Sequence, residues 1–118
     1  MSERPGGDEP ARVGTAIGAL DDAVHQRHRL GILTITAEAR DVEFSFLREA
    51  LGLTAGNLSR HLAVLAEGGL VEISKGYAGR RPRTWVNITR SGRDALQAEM
   101  SALGSLLRAY RRSRNEES

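Results

Sequence analysis

At 118 residues and a net charge of only +2, the chain has the length of a single domain and no global charge excess that would announce a polyanionic partner. It has no cysteine, which excludes disulfides, thiolate metal sites and cysteine nucleophiles and fits a reducing cytoplasm. No run nears the ~18 apolar residues of a membrane span and the polar opening MSERPGGDEP has no signal-peptide core, so a cytoplasmic protein with no membrane partner is expected, residues 1–10 being a disordered leader.

In residues 11–26, Val13, Ile17, Leu20 and Val24 recur at helical spacing, which predicts a first amphipathic helix. Gly14 and Gly18 weaken it. Asp21, Asp22 and His25 on its later turns read as surface neighbours. Residues 27–39, with Leu30, Ile32, Leu33 and Ile35, fit either a helix or a strand by periodicity. The flanking RHRL and TAEA favour a helix, central to the core.

Residues 41–44, DVEF, are long enough for one short strand. The spacing then predicts a helix FLREALG with Ser45 as N-cap, Phe46, Leu47 and Leu51 buried, and Gly52 closing it as a C′ glycine. Leu53 plugs the turn and Thr54 caps the next helix. Within AGNLSRHLAVLAEGG, Leu58, Leu62 and Leu65 form the buried face. Gly56, Arg60, Ala63 and Val64 lie opposite, with Asn57 and Ser59 on the flanks.

That outer face is small and polar, as a helix entering a major groove ~12 Å wide must be. Arg60 suits guanine O6/N7 or a phosphate, and Asn57 suits adenine. Ser59 and Thr54 suit phosphates, helped by the positive end of the helix. Alone, the face would be an ordinary solvated one. The basic segment next in the chain changes the reading.

Gly68 and Gly69 stop the helix, residues 70–75 predict a strand, 76–82 (GYAGRRP) a cationic loop, and 83–88 a returning strand with Val86 and Ile88 on one face. From Ile73 to Arg93 there are six basic residues and no acidic one. A hairpin with such a tip is a wing for the phosphate backbone or minor groove. The segment from Lys75 to Thr84 carries it, with Arg80 and Arg81 the foremost contacts. Trp85 is expected to pack against a neighbouring helix.

Thr89 and Ser91 offer caps for a last helix from Gly92 to about Arg112, and the tail SRNEES (residues 113–118) is expected to fray. Leu96, Met100, Leu103, Leu107 and Tyr110 are spaced four, three, four, three, a narrow a/d seam. Together with Val13, Ile17 and Leu20 it reads as a homodimer interface. The fold expected is mainly α with a small β-hairpin (α+β), a winged helix-turn-helix with a C-terminal dimerisation helix, spanning residues 11–112.

The run from Gly52 to Leu96, GLTAGNLSRHLAVLAEGGLVEISKGYAGRRPRTWVNITRSGRDAL, preceded by Arg29-Leu30-Gly31-Ile32-Leu33, resembles the winged-helix bacterial regulators of the MarR/ArsR-like group, above all their compact "winged helix DNA-binding domain" members. The resemblance implies a homodimeric transcriptional regulator of palindromic double-stranded DNA. It also implies contacts from Thr54, Asn57, Ser59, Arg60 and His61 on the helix and from Arg80, Arg81 and Arg83 on the wing, where Lys75 and Thr84 complete the candidate set.

The chain departs from metal-sensing members, since it lacks cysteine and His25, His28 and His61 are its only histidines. Two imidazoles without a third ligand make a poor site, so no metal or cofactor is expected. Neither is enzyme activity, because no nucleophile–base grouping or phosphate-binding glycine loop is present. The alternatives are a winged-helix protein-interaction module, which the charged wing disfavours, and a regulator with a small-molecule effector bound near the dimer interface.

Overall fold

The computed structural model describes residues 8–20, 24 and 26–117. In chain order these form α1 (Asp8–Gly18), α2 (Arg27–Glu38), β1 (Val42–Glu43), α3 (Phe44–Leu51), α4 (Ala55–Glu67), β2 (Val71–Ala78), β3 (Arg81–Ile88) and α5 (Arg90–Glu117). It is a mainly helical fold with a small three-stranded antiparallel sheet in the order β1-β3-β2, which is a winged helix-turn-helix followed by a long helix. No helix among the described residues is long and apolar enough to cross a membrane. The chain forms two compact units, one of residues 22–96 and one in which α1 joins residues 97–118.

The larger unit is built on a core of Val24, Ile32, Leu33, Val42, Leu47, Leu58, Leu62, Leu65, Val71 and Val86. Its helix ends follow from local chemistry. Gln26 caps α2 by accepting hydrogen bonds from the amides of His28 and Arg29. Gly52 adopts φ 64°, which lets the Leu53 amide reach back to the Arg48 carbonyl at 3.0 Å and turns the chain sharply from α3 to α4. Thr54 caps α4, its hydroxyl accepting from the Asn57 amide at 3.1 Å. Thr89 does the same for α5 toward the Gly92 amide, while its hydroxyl donates to the Gly69 carbonyl. Replacing Thr54 with alanine is expected to cost about 1 kcal/mol, read as a lower midpoint of urea unfolding.

Several expectations need correcting. The first helix begins at Asp8 and ends at Gly18, so the expected leader loses its last residues and the stripe is cut before Val24, which instead sits fully buried in the larger unit's core. Residues 1–7 and the positions Asp21, Asp22 and His25 lie outside the described residues. Ser45 is not the cap of α3: Glu43 occupies that position, without a side-chain capping bond. Phe46 is 56% exposed, because Phe44 at the start of the helix takes the inward place beside the core. The last helix runs through the expected frayed tail to Glu117.

The hairpin is also longer than expected. Residues 76–78 and 81–82 pair in register, from Val71 opposite Ile88 to Ala78 opposite Arg81. The loop is only Gly79-Arg80, with Gly79 at φ 65°, as a two-residue hairpin turn with glycine first requires. Gly76 is therefore a strand residue. A Cβ there would stand 3.0 Å from the Trp85 ring, so the glycine makes room for the tryptophan that lies across it.

In the smaller unit, Glu9 of α1 pairs with Arg112 of α5 and with Arg12 on its own helix. Among the described residues, Ala16, Ala102 and Ala109 are its buried hydrophobic ones. The larger apolar side chains Ile17, Met100, Leu107 and Tyr110 are exposed.

Candidate nucleic-acid interface

Helix α4 owes its orientation to its three buried leucines. Leu58 and Leu65 are fully buried and Leu62 nearly so, and with these three facing inward Gly56, Asn57, Ser59, Arg60 and Ala63 are left exposed. The outer face is thus the one expected except at Val64, which is half-buried: it presents an amide, a hydroxyl and a guanidinium. Thr54 is committed to the cap, and its hydroxyl hydrogen remains available to a phosphate.

His61 takes a different position. It is half-buried, with its ring 5.5 Å from that of His28 on α2, so it belongs to the seam between these helices rather than to the outer face. Burial, followed by the positive fields of Arg29, His28 and Arg60, holds its pKa below the ordinary histidine value. The native state therefore resists a proton that the unfolded state accepts below pH ~6.5. Stability is expected to be full above that pH and to decline as pH falls from there through the lowered native pKa. Thermal melts of wild type and His61→Gln at pH 7.5 and 5.5 test this, the variant losing less stability between the two.

Antiparallel register sorts the wing into two faces. One carries Val71, Ile73, Lys75 and Tyr77 with their partners Ile88, Val86, Thr84 and Pro82, and the other carries Glu72, Ser74, Gly76 and Ala78 with Asn87, Trp85, Arg83 and Arg81. The first face begins in the core and continues outward beside α4. There Ser59 and Ala63 of the helix and Ile73, Lys75 and Thr84 of the hairpin line one groove of about 340 Å³, with Phe44 and Leu62 at its base. Ser59, Lys75 and Thr84, far apart in sequence, thus share one concave corner.

Arg83 is not part of that corner. It points to the opposite face, where its guanidinium lies 3.8 Å from the Glu43 carboxylate, tying the wing to the entry of α3. Arg81 shares that opposite face, and Arg80 occupies the turn. Arg93, counted among the basic run, donates to the Ala37 carbonyl at 3.2 Å and so works in the fold. Trp85 lies against its neighbouring strand at Gly76. Tyr77, which sequence reasoning passed over, is 73% exposed on the groove side. The alternation Ile73, Lys75, Tyr77 would have revealed it had the strand been continued past Gly76.

The seam residues divide as well. Leu96 packs against the core of the larger unit, so it does not contribute to an outward seam. Met100, Leu107, Tyr110 and Ile17 are exposed, at 41%, 47%, 58% and 55%, and Val13, Leu20 and Leu103 are half-buried. Among the described residues no group of three or more histidine, cysteine, aspartate or glutamate side chains is placed to hold a metal ion.

Residues 28–107 match the family described as the winged helix DNA-binding domain. An uncharacterised protein of Methanocaldococcus jannaschii is 41% identical over 69 residues, covering 58% of this chain and 75% of the relative. Among solved structures, a transcriptional regulator homologue of Pyrococcus horikoshii superposes with a TM-score of 0.72 at 31% identity, over 87% of this chain and 97% of that one. The regulator MosR of Mycobacterium tuberculosis, solved in complex with DNA, superposes at 0.63 over 85% of this chain and 71% of its own, and at 21% identity this likeness is one of fold. The family is described by DNA binding and the two solved structures by transcriptional regulation, none of them by an enzymatic activity. The chain belongs to the winged helix DNA-binding domain family.

Proposed function

We propose that this protein is a cytoplasmic transcriptional regulator that binds double-stranded DNA sequence-specifically as a homodimer. Helix α4 enters the major groove, Arg60 and Asn57 reading base edges, while the wing from Lys75 to Thr84 follows the backbone and reaches toward the minor groove with Arg80. Affinity then comes chiefly from phosphate neutralisation and sequence preference from the helix. The observation that carries this reading is the shared corner of Ser59, Lys75 and Thr84 beside the exposed face of α4, which sets a polar helix and a cationic ribbon side by side. A protein-interaction module would instead present an apolar helix face there.

The dimer reading is supported by the outward Ile17, Met100, Leu107 and Tyr110. It gains support from a groove of about 800 Å³ between α1 and α5, floored by Ala16, Ala19, Ala98 and Ala102, which accepts a helix of a second copy. Arg12, Arg108 and Arg112 at the groove's edge make it also the place to look for an anionic effector. Sedimentation velocity tests the assembly. The free protein should show twice the 12.8 kDa protomer mass, two protomers should bind each duplex, and Leu107→Asp should yield the monomer. A wild-type monomer binding one-to-one would overturn the dimer.

A further inference from the structure

We propose that Tyr77 is a DNA contact, its ring lying against the sugar–phosphate backbone on the groove side of the wing; this rests on the DNA-binding reading above. The side chain is 73% exposed, although tyrosine has a large apolar body that water solvates poorly. It stands two residues beyond Lys75 on the same face, opposite Pro82, so lysine, tyrosine and proline form one continuous ledge leading outward from the groove shared with α4.

Charge decides which polymer that ledge suits. The groove-side face holds Lys75 and no acidic residue, and it runs directly to Arg80 in the turn. On the opposite face, Arg83 is offset by Glu43, its charge partner, which lies beside Trp85 in the sheet, while Arg81 stands at the tip next to Arg80. The groove side therefore carries its cationic charge with no acidic residue on the same face, and with Arg80 and Arg81 at the tip it leads a polyanion strand along the ledge. The phosphates lie against Lys75 and Arg80, and the deoxyribose between them presents an apolar edge to the phenol ring. Contact of this kind carries no base information. It sets how deeply the wing sits, while the Arg83–Glu43 pair braces the wing from behind.

The test is chemical footprinting of the wild-type protein. Tyr77 and Tyr110 are its two tyrosines, in different units; Tyr110 lies on the proposed dimer seam and reports assembly, so it separates dimer formation from DNA contact at Tyr77. Nitration by tetranitromethane, quantified by mass spectrometry with and without a saturating selected duplex at a protein concentration where the free protein is already dimeric, should slow at Tyr77 and stay unchanged at Tyr110. Tyr77→Ala should weaken binding about three- to tenfold on every duplex alike, and Tyr77→Phe should retain most of the affinity because the ring carries the contact. A bound complex in which Tyr77 is nitrated at the free rate overturns this proposal alone. Failure of the wild-type protein to bind any duplex overturns the DNA reading and this proposal together. Protection of Tyr77 that rises with protein concentration in the absence of DNA assigns the ledge to a second copy, and this proposal falls.

Discussion

Substituting Gly92 with alanine is expected to cost about 3 kcal/mol or more and to lower the melting temperature by about 15 °C. The new Cβ would lie 2.1 Å from the Leu70 carbonyl oxygen and 2.7 Å from an Ile88 side-chain carbon. The carbonyl has no room to yield, because it accepts the Thr89 amide at 3.0 Å. Thr89 in turn caps α5 through the Gly92 amide, so moving the Leu70 carbonyl disrupts both the strand exit and the helix start. With total stabilities of about 5–15 kcal/mol, such a loss leaves the domain marginal. Gly14→Ala supplies the contrast: its Cβ meets nothing within 4 Å, and it is expected to stabilise α1 by about 0.5–1 kcal/mol. Scanning calorimetry of the two variants checks both signs, and a Gly92→Ala protein melting like wild type would contradict the packing described here.

Arg60→Ala and Lys75→Ala are expected to separate the two components of DNA binding. Arg60 is exposed on the outer face of α4, and its removal should cost about 1–3 kcal/mol of discrimination at one position of the operator while scrambled duplexes bind nearly as before. Lys75 lies in the groove beside Ser59 and Thr84, and its removal should weaken all duplexes equally and reduce the salt slope by about one. Titrations over a set of single-position operator variants at several salt concentrations resolve the two effects. Uniform losses from both variants would mean that Arg60 holds a phosphate rather than a base.

The helix-turn-helix was legible because several local signals agreed. Leu58, Leu62 and Leu65 give a strong helical period, Thr54 is a good cap, and Gly52 suits the left-handed position that closes α3. The hairpin tip was harder to read because two of its glycines serve different ends. Gly79 turns the chain, whereas Gly76 is demanded by the Trp85 ring on the neighbouring strand, a tertiary requirement with no local signature. Phe46 differs for a related reason, since the eight-residue helix starts two residues earlier than its spacing suggests, at Phe44, and that aromatic takes the inward place. Leu96 continues the heptad spacing of the last helix, yet it serves the winged-helix core, and spacing alone does not reveal where a helix passes from one unit to another. The basic residues of the wing were all visible, but their faces follow from register, and only register separates Lys75 and Tyr77 from Arg81 and Arg83.

Sequence-specific recognition by a paired reader is open to one decisive measurement: selection of bound sequences from a pool of random duplexes, then anisotropy titration of the selected duplex and a scrambled one at two salt concentrations. The expected result is a palindromic motif whose two half-sites are spaced by about one helical turn, bound far more tightly than the scrambled duplex at both salt concentrations. Weak binding that is uniform across sequences and abolished by salt would contradict it, leaving the wing merely cationic and α4 without a sequence to read.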